Sequence, residues 1–182
     1  MSLDQVVEAL GAARAPEHVA TRIVAIDGLG GAGKSSLAAY LARQLGASIV
    51  HTDDFASWEN ALDWGPALVA LLLDPLAHGR PARYTPTSWE GAPADELVVE
   101  PGGLVLLEGV SSSRKAFRPY LAYSIWIETP RGVRLRRGLE RDGEQARGAW
   151  ERWMADEDAY VDRERPLERA SLVLPGDQDL WP

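Results

Sequence analysis

The sequence predicts an α/β fold, a central parallel sheet covered by helices on both faces. Three observations carry this reading. Short apolar runs alternate along the chain with segments of helical spacing. Two of those runs, 104–107 and 123–127, are almost continuously apolar, as strands buried on both faces require. A glycine-rich segment joins the first strand to the helix that follows it.

The elements follow in order. Leu3, Val6, Val7 and Leu10 have the spacing of an amphipathic helix, with Gly11 as its stop. Residues 22–26 are rich in β-branched side chains and read as a strand. Residues 35–45 favour a helix. A second strand, 48–52, ends at Asp53 and Asp54. Residues 65–78 read as a helix with Pro66 in its first turn, where a missing N–H costs nothing. From 79 to 101 four prolines (Pro81, Pro86, Pro93, Pro101) predict an extended, loop-rich stretch, part of a longer excursion over 56–101. The strands 104–107 and 123–127 end at Glu108 and Glu128. Helices at 131–141 and 145–165 precede a last short strand, 171–174.

Composition narrows the chemistry. The 182 residues suit a single domain spanning 1–182. With no cysteine there is no disulfide, thiolate metal site or cysteine nucleophile. His18, His51 and His78 are too scattered to build a zinc site. The first ten residues lack the pattern of a secretion signal, and the longest apolar stretch, 67–73, is far short of the roughly 20 residues that span a bilayer. A soluble, cytoplasmic protein with no membrane partner is expected. A net charge of −8 repels nucleic acid as a partner, so any phosphate binding must be local.

Such a place exists. Gly28-Leu29-Gly30-Gly31-Ala32-Gly33-Lys34-Ser35 matches GxxxxGK followed by Ser or Thr, the Walker A pattern of a P-loop, and lies between a strand and a helix. A chance match in a chain this long has a probability on the order of 1%. Backbone N–H groups of such a loop converge on phosphate, and the helix starting at Lys34 adds its positive end. Lys34 would reach the β and γ phosphates, the Ser35 hydroxyl would bind Mg2+, and Ser36 continues the cradle. Lys34 and Lys115 are the only lysines among 19 basic residues, so a lysine here is selected by the loop.

Ligands of a parallel sheet lie beyond the carboxyl ends of its strands. Asp53, Asp54 and Glu108 fall there. One can hold Mg2+ together with Ser35, and another can accept the proton of an attacking hydroxyl. Arg134, Arg137 and Arg141 share one helix face that can close over phosphates, or can simply be solvated. Trp58, Trp64, Tyr84 and Trp89 lie in the excursion and can sandwich a planar or sugar substrate. His51 reads as a core or strand-end histidine, and Trp150 and Trp153 as core.

These segments together resemble the uridine kinase and nicotinamide riboside kinase group of P-loop kinases over most of the chain. The resemblance rests on IVAIDGLGGAGKSS, HTDDF, LVLLEG, IETPRGVRLRRGLERD and the closing LVLPG. It implies a P-loop NTPase three-layer αβα sandwich using ATP and Mg2+. It further implies that Asp53 is the general base, that Glu108 supports Mg2+, and that Arg137, as a catalytic residue, and Arg141, as an ATP contact, belong to a helical lid around 131–150. Tyr84 falls at an aromatic substrate contact. The implied reaction moves the γ-phosphoryl of ATP to a small-molecule hydroxyl, a ribonucleoside first among acceptors. The competing class is a P-loop ATPase or nucleotide-dependent regulator. Against a GTPase, neither lysine lies in an NKxD sequence.

Overall fold

The computed structural model describes residues 2–56, 64–87 and 94–177. At its centre lies a five-stranded parallel sheet in the order β2-β5-β1-β6-β7. Its members are β1 (Arg22–Gly28), β2 (Ser48–His51), β5 (Leu104–Glu108), β6 (Leu121–Glu128) and β7 (Leu172–Pro175). The middle strand β1 is buried over six of its seven residues, which explains why it carries almost no polar side chain. Pro175 is accommodated because β7 is an edge strand.

The alternation of side chains along the strands separates two cores. On one face Val24, Ile26, Leu106 and Ile125 pack against Val6 and Leu10 of α1 (Leu3–Ala12) and Leu37 and Leu41 of α2 (Lys34–Leu45). On the other, Ile23, Val105 and Leu107 pack against Trp64, Phe117 and the leucines of α3 (Gly65–Leu68), a π turn (Val69–Leu73) and α4 (Asp74–Ala77). Each fully buried leucine adds about 1.5–3 kcal/mol. The result is the three-layer αβα sandwich that the sequence predicts.

Three details differ from the sequence reading. Helix α1 runs past Gly11 to Ala12, and its firm end is the other one, where Ser2 and Gln5 form a capping box. The stretch 79–101 contains a short antiparallel hairpin, β3 (Ala82–Tyr84) with β4 (Leu97–Val99). Three-residue strands flanked by prolines are too short to show a period. The helix expected over 65–78 holds a π turn, which local composition does not announce.

Beyond the sheet, α5 (Arg131–Asp142), a 3-10 turn (Glu144–Ala146) and α6 (Arg147–Glu164) precede α7 (Pro166–Arg169). Leu139, Trp150 and Met154 join α5 to α6 in a small core of their own. Among the described residues no helix is long and apolar enough to cross a membrane.

Candidate functional site

The predicted phosphate loop forms the turn between β1 and α2. Gly33, at φ 100°, takes the N-cap position of the helix without a side-chain cap. Among the described residues the N–H groups of Gly33, Lys34, Ser35 and Ser36 have no protein acceptor, so the first turn offers donors and the positive end of a helix dipole. The Ala32 N–H, by contrast, is taken by the Leu29 carbonyl, and the Gly30 N–H by Glu157. Lys34 is buried, and its Nζ donates to the Leu29 carbonyl at 3.2 Å. The sheet order reverses around β1, so this loop lies at the switch point where such folds bind ligands.

Register brings the predicted carboxylates alongside. His51, Glu108 and Ile26 are paired across β2, β5 and β1 and share one level of the sheet. The Ser35 hydroxyl donates to Glu108 Oε1 at 3.1 Å, and His51 Nδ1 lies 2.6 Å from Glu108 Oε2. Burial opposes the charge of Glu108, but the His51 hydrogen bond, the Lys34 charge and the Ser35 hydroxyl hold its carboxyl below the usual range. The same bond to Glu108 raises the pKa of His51. His51 is thus a half-exposed strand-end histidine, in line with its sequence reading, and it is also the partner of a candidate metal ligand.

Asp53 and Asp54 follow in a 3-10 turn (Thr52–Phe55) and diverge. Asp53 is exposed at its surface but packed about by Lys34, Glu108, His51 and Asp54. Desolvation there raises its pKa against the opposing pull of Lys34, with Glu108 nearby adding to the rise. Asp54 faces the hairpin and accepts the Tyr84 hydroxyl at 3.1 Å. The Tyr84 ring is buried, 4.7 Å from that of Phe55, so its hydroxyl end faces the site while its body packs the core. Among the described residues no three His, Asp or Glu side chains converge as a metal cage. The donor set that fits a divalent ion is the Ser35 hydroxyl beside the Glu108 carboxylate, the sparse protein contribution that Mg2+ accepts when phosphate and water complete its shell.

The arginine face is divided. Arg134 is buried and pairs with Glu157 at 3.0 Å. Arg137 donates to the carbonyls of Gly31 and Gly176, bracing the back of the loop against the segment after β7. Arg141 is exposed, held by Asp142 at 2.7 Å and lying over the Trp150 ring, and its charge interacts with Asp53. Of the three, Arg141 faces the site. Trp64 is buried under Arg114, whose guanidinium lies 4.4 Å from its ring. The predicted contacts Trp58 and Trp89 lie outside the described residues.

Sequence reasoning missed two acidic residues. Asp27, buried at the end of β1, accepts from the N–H groups of Gly28, Ser111 and Ser113 and from the hydroxyls of Ser113 and Tyr160. A lone charge in an apolar strand beside the loop was its signal. Glu157 shares helical spacing with Trp150 and Trp153, and that face was the only hint of its place.

No protein-family model and no curated protein sequence matches the chain. Solved structures do. A provisionally named uridine kinase from Bacillus stearothermophilus superposes with a TM-score of 0.71 at 19% identity, covering 94% of this chain and 96% of that one. A provisionally named fructose transport system kinase from Silicibacter sp. TM1040 gives 0.71 at 20%, covering 96% and 100%. A sugar kinase from Janibacter sp. HTCC2649 gives 0.55 at 18%, covering 88% of each. At these identities the likeness establishes the fold alone, a parallel αβα sandwich.

Proposed function

We propose that this protein is an ATP-dependent small-molecule kinase that moves the γ-phosphoryl of Mg-ATP to an acceptor hydroxyl, with a ribonucleoside as the leading acceptor. The observation that carries the reading is the grouping of Lys34, Ser35, Glu108 and Asp53 around the open donors of the phosphate loop. The structural neighbours named as uridine and sugar kinases support the same reaction class.

In this reading the N–H groups of the α2 first turn and Lys34 hold the phosphates, and Arg137 keeps the loop in shape from behind. Ser35 and Glu108 would hold Mg2+, with Asp54 as a further candidate. Bound Mg-ATP supplies the phosphoryl group and a cation that offsets charge on its oxygens. Asp53 takes the proton of the acceptor hydroxyl, and its raised affinity for that proton suits a base. Arg141, whose charge acts on Asp53, would add positive charge beside the transferring phosphoryl group. Tyr84, whose hydroxyl is held by Asp54, would contact the acceptor, and Trp58 and Trp89 are kept from the sequence as candidate acceptor contacts.

The test is ADP formation from ATP across a panel of nucleosides, sugars and other small alcohols. At least one acceptor should raise the rate well above the background without acceptor. Lys34→Ala should lower the stimulated kcat by about 100-fold or more, and Asp53→Asn by a comparable factor. A panel that leaves every rate at background sinks the reading, and an Asp53→Asn enzyme with full rate sinks the base assignment.

A further inference from the structure

Gly30 and Gly31 form the crown of the phosphate loop, and a helix covers each. A Cβ on Gly30 would sit 3.1 Å from Glu157 Oε1, 3.1 Å from the Trp150 ring and 3.2 Å from the Trp153 indole nitrogen, all on α6. A Cβ on Gly31 would meet the Arg134 carbonyl oxygen of α5 at 2.6 Å. Glycine at these two positions therefore answers to the roof as well as to phosphate.

One side chain ties the parts together. Glu157 Oε1 accepts the Gly30 N–H at 2.6 Å and the Trp153 indole N–H at 2.8 Å. Its Oε2 accepts from Arg134 at 3.0 Å, and Arg134 Nε donates to the Thr129 carbonyl. Glu157 is completely buried. A buried carboxylate persists only where donors surround it, and here they come from the loop, from α5 and from α6 itself. Deleting it strands a backbone N–H and a buried guanidinium together. The bond takes up the Gly30 N–H and none of the donors of the α2 first turn.

We propose that Glu157 is a positioning residue for nucleotide binding. Through the Gly30 N–H it holds the crown in its phosphate-accepting shape, and through Arg134 it seats α5 on that crown. The proposal rests on the reading that the loop takes ATP, and the experiment separates the two.

Hydrogen exchange of the peptide spanning 28–33, without nucleotide, is compared in wild type, Glu157→Ala and Glu157→Asp. The aspartate variant keeps the charge but draws the carboxylate back by one methylene, and it serves if the alanine variant does not fold. Exchange should quicken about tenfold, the loss expected for one charge-assisted hydrogen bond. In the same variants KM for ATP should rise about tenfold while kcat at saturating ATP stays within about threefold. Met154→Ala, which loosens the α5 and α6 core but removes no hydrogen bond to the crown, should lower stability and leave KM near wild type. Unchanged exchange in the Glu157 variants overturns the proposal, as does an equal rise in KM for Met154→Ala. A wild type that neither binds nor turns over ATP refutes the kinase reading instead, and the exchange measurement still decides the role of Glu157 in shaping the crown.

Discussion

Glu108 and Glu157 are buried carboxylates that both interact with Lys34, and their surroundings move them in opposite directions. Glu108 has His51 and Ser35 at hydrogen-bond distance and stays charged below the usual range. Glu157 is pushed up by burial, although Gly30, Arg134, Lys34 and Trp153 all favour its charge. The sign of the consequence follows from linkage. Between the ordinary glutamate value of 4.5 and the raised folded value, the folded state binds the extra proton. The contribution of Glu157 to stability therefore grows as pH falls through that window and is lost as pH rises. Paired thermal melts of wild type and Glu157→Gln should show the difference in Tm moving in favour of wild type as pH drops from neutrality toward 4.5. A difference that stays flat with pH refutes the raised value. The sequence could rank Glu108 because it ends an apolar strand. Glu157 lies mid-helix among other charged residues, and only its contact with the loop makes it distinct.

At the scale of elements, two glycines that look alike in sequence have different surroundings. Gly11 lies in the last turn of α1 with open space where a Cβ would go. Gly31 lies at φ +77° with the backbone of α5 against it. Gly11→Ala should stabilise the protein by about 0.5–1 kcal/mol, because glycine in a helix interior costs that much relative to alanine. Gly31→Ala should destabilise it by at least about 1–2 kcal/mol from the left-handed backbone alone, and push α5 off the loop besides. Urea denaturation of both variants checks this, and a Gly31→Ala loss no greater than the backbone cost would mean that α5 yields freely. The helices themselves were legible from apolar spacing and the strands from apolar runs. The hairpin and the π turn were not, because each is shorter than the window in which a period shows. The division of the arginine face was also hidden. Spacing places Arg134, Arg137 and Arg141 on one side of α5, but their partners come from Glu157, the phosphate loop and Asp142.

For the molecule as a whole, a nucleotide that binds only the folded chain must raise its stability. At Mg-ATP about 100-fold above Kd the gain is about 2.7 kcal/mol, which for a domain of this size is roughly 5–10 °C in Tm. Lys34→Ala should abolish that shift, measured by calorimetric or fluorescence melting, while leaving the Tm without nucleotide within a few degrees. A shift that survives the substitution would place the nucleotide elsewhere. The sequence by itself determined the α/β class, the position of the phosphate loop and the carboxylates at strand ends, because period, glycine spacing and strand termini are local and repeat along the chain. Only the tertiary structure decided which groups meet: Glu108 with Ser35 and His51, Asp54 with Tyr84, and Glu157 with Gly30, 127 residues away along the chain. Those pairings depend on strand order and helix packing. Both are set by how two apolar faces of one sheet are covered at once, and no short segment of sequence carries that information.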